Sequence, residues 1–231
     1  MDKPIYSEEY KGHKIDIHED ISSDSPNDWG DTGAFLVCNN REMKVERDGF
    51  DVNTVFRALH GAKDDDGEID EKAEAIANGY HIFTIEAYIH SGIVLYFERE
   101  ASFDRRWDVS SGFGFILVKN DEAKDHEDAR RIASGILETW NDYLSGNVYG
   151  YVIDSDGDSC WGYYGDYETG ALEAAREVVD GIDPKEWERE KTRKKLDELK
   201  RWEMGLSGKE RDAVARSVKS IEKQLSILAG N

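Results

Sequence analysis

The run from Gly146 to Gly165, GNVYGYVIDSDGDSCWGYYG, constrains the fold more than any other stretch of the chain. Two apolar and aromatic segments flank Asp156-Gly157. Asp-Gly suits a two-residue type I′ hairpin turn, because both central residues of that turn need positive φ. With that turn, Ile153 faces Cys160, Val152 faces Trp161, Tyr151 faces Gly162 and Gly150 faces Tyr163. Each glycine then lies opposite a tyrosine, on alternate faces. A ring over a cross-strand glycine shields backbone that water would otherwise reach. The crowding of glycines and aromatics therefore has a structural reading that needs no ligand.

Two chemical readings of the same run fail, one on spacing and one on charge. Aligning Gly157 with the glycine of an EF-hand loop puts Val152 at the first ligand position and Tyr163 at the last, where Asp and a bidentate Glu are required. The acidic stretch AKDDDGEIDEKA fails in the same way, with Ala62 first and Ala73 last. Cys160 sits among Asp154, Asp156 and Asp158, whose charges oppose a thiolate. No serine nucleophile elbow, phosphate loop, HExxH or CxxC occurs, and the histidines do not fall at metal-ligand spacings. No catalytic residue, metal or cofactor is assigned on this basis, and a non-catalytic role is the expectation.

Around the hairpin the pattern is mixed. HKIDIH (residues 13–18) alternates as a strand, AFLVCN (34–39) is a short apolar run, and FGFILVKN (113–120) is a further strand. YHIFTIEAYIHSGIVLYFERE reads as two strands joined by His90-Ser91-Gly92, a three-residue loop with Gly92 in the left-handed position. VNTVFRALHG and EIDEKAEAIANG read as short helices closed by Gly61 and Gly79. The clearest helix lies at about 121–144, where Ala129, Ile132, Ala133, Ile136, Leu137, Trp140, Tyr143 and Leu144 recur every three or four residues and Gly146 closes the last turn. The expected fold class is α+β: a mainly antiparallel sheet, that helix packed on it, and a C-terminal helical hairpin.

The hairpin starts where Asp183 can cap a helix and Pro184 fits its first turn. A first helix offers a thin apolar face of Trp187, Leu196, Leu199 and Trp202. GLSG breaks it, and Ser207 with Glu210 forms a capping-box pattern. Val214, Val218, Ile221, Leu225 and Leu228 then make a two-heptad stripe. Docking within the chain is expected to cover it, with homo-oligomerisation through 207–228 as the alternative. The domains expected are an acidic α+β body, 1–183, and the hairpin, 184–231.

Charge divides at the same place. The chain of 231 residues has a formal net charge of -20, and from Pro184 onward 13 Lys and Arg stand against 9 Asp and Glu. The body therefore carries a net of -24 and the tail +4. An acidic body repels nucleic-acid backbones and anionic membranes and attracts basic proteins. Three readings of the acidity compete: solubility, adaptation to a salty cytosol, and mimicry of DNA charge. Residues 1–12 lack the basic and apolar regions of a signal peptide, no apolar run is long enough to span a bilayer, and two distant cysteines make no disulfide framework. A cytoplasmic protein is expected.

Five motifs occur in order: SPNDWGDTG, HSGI, WDVSSGFGFILV, GNVYGYVID and DSCWGYYG. In that order, over about residues 10–180, the chain resembles a family of small proteins encoded by phages, prophages and plasmids. It departs from the family pattern at Gly30, where Asp is usual, and by an extra residue in WDVSSGFG. The resemblance implies a mobile-element setting and no particular reaction. The residues in or beside its motifs are the candidate binding positions: Asp28, Trp29, His90, Ser91, Trp107, Asp108, Asp158, Cys160 and Trp161. Each also has a structural reading, tryptophan as core and Asp, Ser and Gly as turn formers. The expected function is that of a non-catalytic accessory protein of a virus or mobile element. It would bind a host or viral protein with a basic surface, and inhibit a nucleic-acid-binding defence protein in one form of that reading. A small hydrolase or nucleotide-binding enzyme, using Trp107, Asp108, His90 and Asp158, and a virion structural component are the alternatives.

Overall fold

The structure, a computed structural model, describes residues 3–29, 32–100, 109–154 and 157–228. The chain divides into two compact units, 1–175 and 176–231. The first is an α+β unit with two antiparallel sheets, and the second contains a helical hairpin.

The larger sheet runs in the order β4-β3-β7-β5-β6, with β3 Ala34–Asn39, β4 Lys44–Val45, β5 Tyr80–Ile89, β6 Ile93–Phe97 and β7 Val109–Lys119. Strand β3 pairs with β7 through Leu36↔Ile116 and Val37↔Phe115. Both faces of this sheet are covered, which explains why AFLVCN is a continuous apolar run and does not alternate. On one face Leu36, Cys38, Ile85, Ile116 and Val118 pack with Ala129, Ala133 and Trp140 of α3, His126–Ser145. On the other, Phe35, Val37, Phe115 and Leu117 meet Val55, Ala58, Ala73 and Ile76 of α1 (Val52–Leu59) and α2 (Glu71–Gly79).

The caps follow from side-chain chemistry. Asp51 accepts from the Asn53 and Thr54 N–H groups at the start of α1, and Asp70 from those of Lys72 and Ala73 at the start of α2. Asp70 also takes a 2.7 Å hydrogen bond from Arg57 Nε, tying α2 to α1. Gly146, at φ 75°, closes α3 as expected. The helix starts five residues later than expected, because Asp125 and not an earlier residue supplies the capping oxygen, to Asp128 N–H at 2.9 Å. The β5–β6 loop has the expected three residues, since Ile89 pairs with Ile93, but Gly92 is outside the left-handed region.

The smaller sheet has the order β1-β2-β8-β9, formed by β1 Tyr6–Tyr10, β2 His13–Glu19, β8 Val148–Ile153 and β9 Ser159–Tyr164. Lys11 and Gly12, at φ 51° and 85°, make the tight turn between β1 and β2. The sequence places such a turn at Asp156-Gly157, and there the structure differs. Ile153 N–H bonds Asp158 O at 2.9 Å, enclosing a four-residue loop, 154–157, of which Ser155 and Asp156 lie outside the described residues. Tyr151 therefore pairs with Cys160, and Val152 with Ser159, in place of the expected partners. Nearer the other end Tyr149 pairs with Tyr163, so Trp161 and Gly162 together oppose Gly150 in a β-bulge, with Gly162 at φ 83°.

In the second unit, Asp183 caps α4 (Pro184–Met204) through Lys185 N–H, with Pro184 in the first turn as expected. Helix α5 spans Gly208–Leu228. Val214, Val218 and Ile221 are buried against Leu196, with Leu199, Leu206 and Leu225 at the margin. The apolar stripe thus closes on the partner helix of its own hairpin. Trp202, expected on the seam, is 59% exposed, and Leu206 of the connecting turn contributes instead.

Candidate functional site

A cavity of about 680 Å³ opens over one part of the smaller sheet. Its aromatic lining comes from Trp29, Trp161 and Tyr164, and its acidic lining from Glu19, Asp20 and Asp24; Lys3, Ile5, His18, Ile21, Ser22, Ser23 and Gly162 complete it.

Each wall has a local cause. The 20–25 segment begins where Asp20 N–H bonds Val148 O at 2.7 Å, leaving β2 beside β8. It ends at Ser25, whose Oγ caps a 3-10 turn, Pro26–Asp28. Asn27 fixes that turn to β3: its Nδ2 donates to Leu36 O at 2.7 Å, and its Oδ1 accepts from Leu36 N–H. Trp29 follows directly, 48% exposed, with its ring edge-on to Tyr164 at 4.7 Å between centroids. Tyr164 Oη donates to Asp24 O at 2.7 Å, binding the end of β9 to the acidic segment. Burial, reinforced by Asp20 and Asp24, pushes the Tyr164 phenol above its ordinary pKa, so it remains a neutral donor at physiological pH.

The bulge positions Trp161. Its six-membered ring lies over Gly150: a β-carbon built there would come 2.5 Å from Trp161 Cδ2 and 2.8 Å from Cys160 O. On the far side of Gly150, His18 of β2 pairs with that glycine and approaches the Trp161 ring at 6.1 Å. The six-membered ring is thus pressed on backbone while the residue as a whole stays 42% exposed.

The structure brings two of the candidate positions together, Trp29 and Trp161, in one cavity. Asp28 stands beside them in the 3-10 turn and does not line it. Cys160 is exposed, but it pairs with Tyr151 and so projects from the opposite sheet face to Trp161. Asp158 closes the hairpin loop with its backbone carbonyl, and its side chain accepts from Ser159 N–H at 2.9 Å. His90 and Ser91 form the β5–β6 turn of the other sheet, where the His90 ring stacks near Tyr88. Trp107 and Asp108 lie outside the described residues.

The residues that sequence reasoning missed are His18, Glu19, Asp20, Asp24 and Tyr164. Their signal was present in the acidic loop EDISSDSPND and in the second tyrosine of GYYG, but only the strand order β2-β8-β9 brings the two segments together. The other acidic loop is used differently: Asp64 Oδ1 accepts from Asp66 and Glu68 N–H groups and Asp70 caps α2, so those carboxylates shape the turn. Among the described residues no three His, Cys, Asp or Glu side chains converge as metal ligands, and no helix is long and apolar enough to cross a membrane.

No protein-family model, curated protein or solved structure matches the chain. Chemically, the cavity offers exposed indole surface beside carboxylates. That combination attracts an organic cation, through the ring quadrupole and through charge.

Proposed function

We propose that this protein is a non-catalytic accessory protein of a virus or mobile element that binds a host or viral protein through that protein's basic surface. The observation that carries the reading is the meeting of half-exposed Trp29 and Trp161 with Glu19, Asp20 and Asp24 in one cavity. Tryptophan supplies contact energy at interfaces and carboxylates select the sign of the partner. The net charge of -24 on residues 1–183 extends that selection over the body and disfavours its direct contact with nucleic acid. A partner that itself binds nucleic acid, such as a defence enzyme in the host cytoplasm, has the basic surface required. The resemblance of the ordered motifs to phage, prophage and plasmid proteins supports the setting. Self-association through 207–228 is not needed by this reading, since Val214, Val218 and Ile221 are already covered within the hairpin.

The test is affinity capture from host lysate with the intact chain and with the Trp29→Ala, Trp161→Ala double variant, after checking that both fold. A basic protein retained by the first and lost from the second supports the reading. Equal retention by both contradicts it.

A further inference from the structure

We infer that the cavity is a groove for a short extended segment bearing arginine, whose guanidinium lies on the exposed indole surface of Trp161 near Trp29. The inference rests on the proposed binding of a basic protein and names the chemistry by which that protein is held.

Three features lead to it. First, the groove is long. Its lining runs from Ile5, whose N–H bonds Ile17 O beside β2, across to Trp161 and Tyr164 on β9. Four adjacent strand positions span roughly 14 Å at about 4.8 Å each, which is the length of about four extended residues. A volume of about 680 Å³ likewise exceeds what one side chain fills.

Second, the indole is prepared for stacking. The Gly150 backbone supports one face of Trp161, and the edge-on contact with Tyr164 braces Trp29. A planar cation meets an already ordered surface, so little rotamer freedom is lost on binding.

Third, the charge is set for a guanidinium. Among the described residues, no lysine or arginine lies at ion-pair distance from Glu19, Asp20 or Asp24. Lys3, two residues before Ile5, also lines the groove. Arginine is the cation that stacks flat on indole while its edge N–H groups reach carboxylates, and it is more weakly hydrated than lysine. Exposed Ile5 and Ile21 offer apolar contact to the residues flanking it.

The experiment is a tryptophan-fluorescence titration of the full chain with the blocked peptide Gly-Arg-Gly-Arg-Gly. Matched peptides carry lysine or citrulline in place of arginine. The arginine peptide should bind saturably, and at least about threefold more weakly when salt is raised from about 50 to 500 mM. The citrulline peptide, isosteric but neutral, should bind at least about tenfold more weakly, and the lysine peptide should fall between. Trp161→Ala should lose binding by about tenfold or more. The Glu19→Gln, Asp24→Gln double variant leaves the aromatic packing in place and should show the same direction, which keeps the test open if Trp161→Ala destabilises the sheet. Equal binding of the citrulline or lysine peptide overturns the inference, as does no binding of the arginine peptide. If the arginine peptide fails while Trp29→Ala, Trp161→Ala still abolishes capture of a basic protein, the inference falls and the proposed function stands. If both fail, both fall.

Discussion

Trp161 covers Gly150, one strand away, and the two residues fit only because position 150 has no side chain. A methyl group there would meet the indole and the Cys160 carbonyl together, and the carbonyl belongs to backbone that cannot swing aside. Gly150→Ala should therefore destabilise the first unit by about 1–3 kcal/mol, the usual range for overpacking a fitted site. It should also shift the tryptophan emission as the ring is displaced. Denaturant unfolding of the two chains reads the first effect and their native spectra the second. A variant with unchanged stability and spectrum would contradict the placement of the ring.

The two thiols differ in the same testable way. Cys38 is fully buried in β3, and burial pushes its thiol up to about 11, whereas Cys160 is exposed on the edge strand β9. At pH 8 roughly a thousandth of Cys38 would be thiolate even if reagent reached it. A disulfide reagent should label one thiol of the native chain quickly and the second only on unfolding. Mass spectrometry after digestion should find the first label on Cys160. Rapid labelling of both under native conditions would rule out the packed β3 core.

Acid should weaken the α1–α2 pair. Hydrogen bonding from Ala73 N–H, then from Arg57, holds Asp70 below the ordinary 3.8, and the Thr54 hydroxyl does the same for Asp51. A carboxylate whose pKa is depressed by folding contributes its stability in full above the unfolded value. That contribution is lost as pH falls through the folded one. Melting temperature should thus be level in this respect from pH 7 to about 5 and fall below about 4. Asp70→Asn keeps a capping oxygen but cannot pair with Arg57 as an anion. It should lower the melting temperature at pH 7 and make the acid decline shallower. An unchanged slope would remove Asp70 from the account.

The limits of sequence reading are clear at particular residues. Periodicity located α3, because its apolar positions all face one sheet, and Gly146 and Asp183 carried cap chemistry that depends on neighbours only. The hairpin at 148–164 was legible as a hairpin, but its register was not. Asp154 is claimed by a strand distant in sequence: its carboxylate meets His13 Nδ1 at 2.7 Å and accepts from Lys14 N–H at 2.9 Å. Those contacts hold it at φ 55° and out of the ladder, so the Asp-Gly turn signal is overridden. The Trp161–Gly162 bulge then moves a tryptophan, and not a tyrosine, onto Gly150. In the same way Trp29 and Trp161 were readable as motif residues, while the carboxylates beside them depend on β2 and β8 pairing across more than a hundred residues.

The central claim is that a basic protein is bound at the cavity of Trp29 and Trp161. The most direct measurement is site-specific photo-crosslinking in host cells. A benzoylphenylalanine replaces Ser22, exposed at the cavity rim, in one chain. In a control chain it replaces Phe56, which is 52% exposed on α1. The account predicts an adduct with a basic protein from position 22, abolished by Trp29→Ala and Trp161→Ala, and no such adduct from position 56. An adduct with the same protein from position 56 but not from position 22, or one from position 22 that survives loss of both tryptophans, would contradict it.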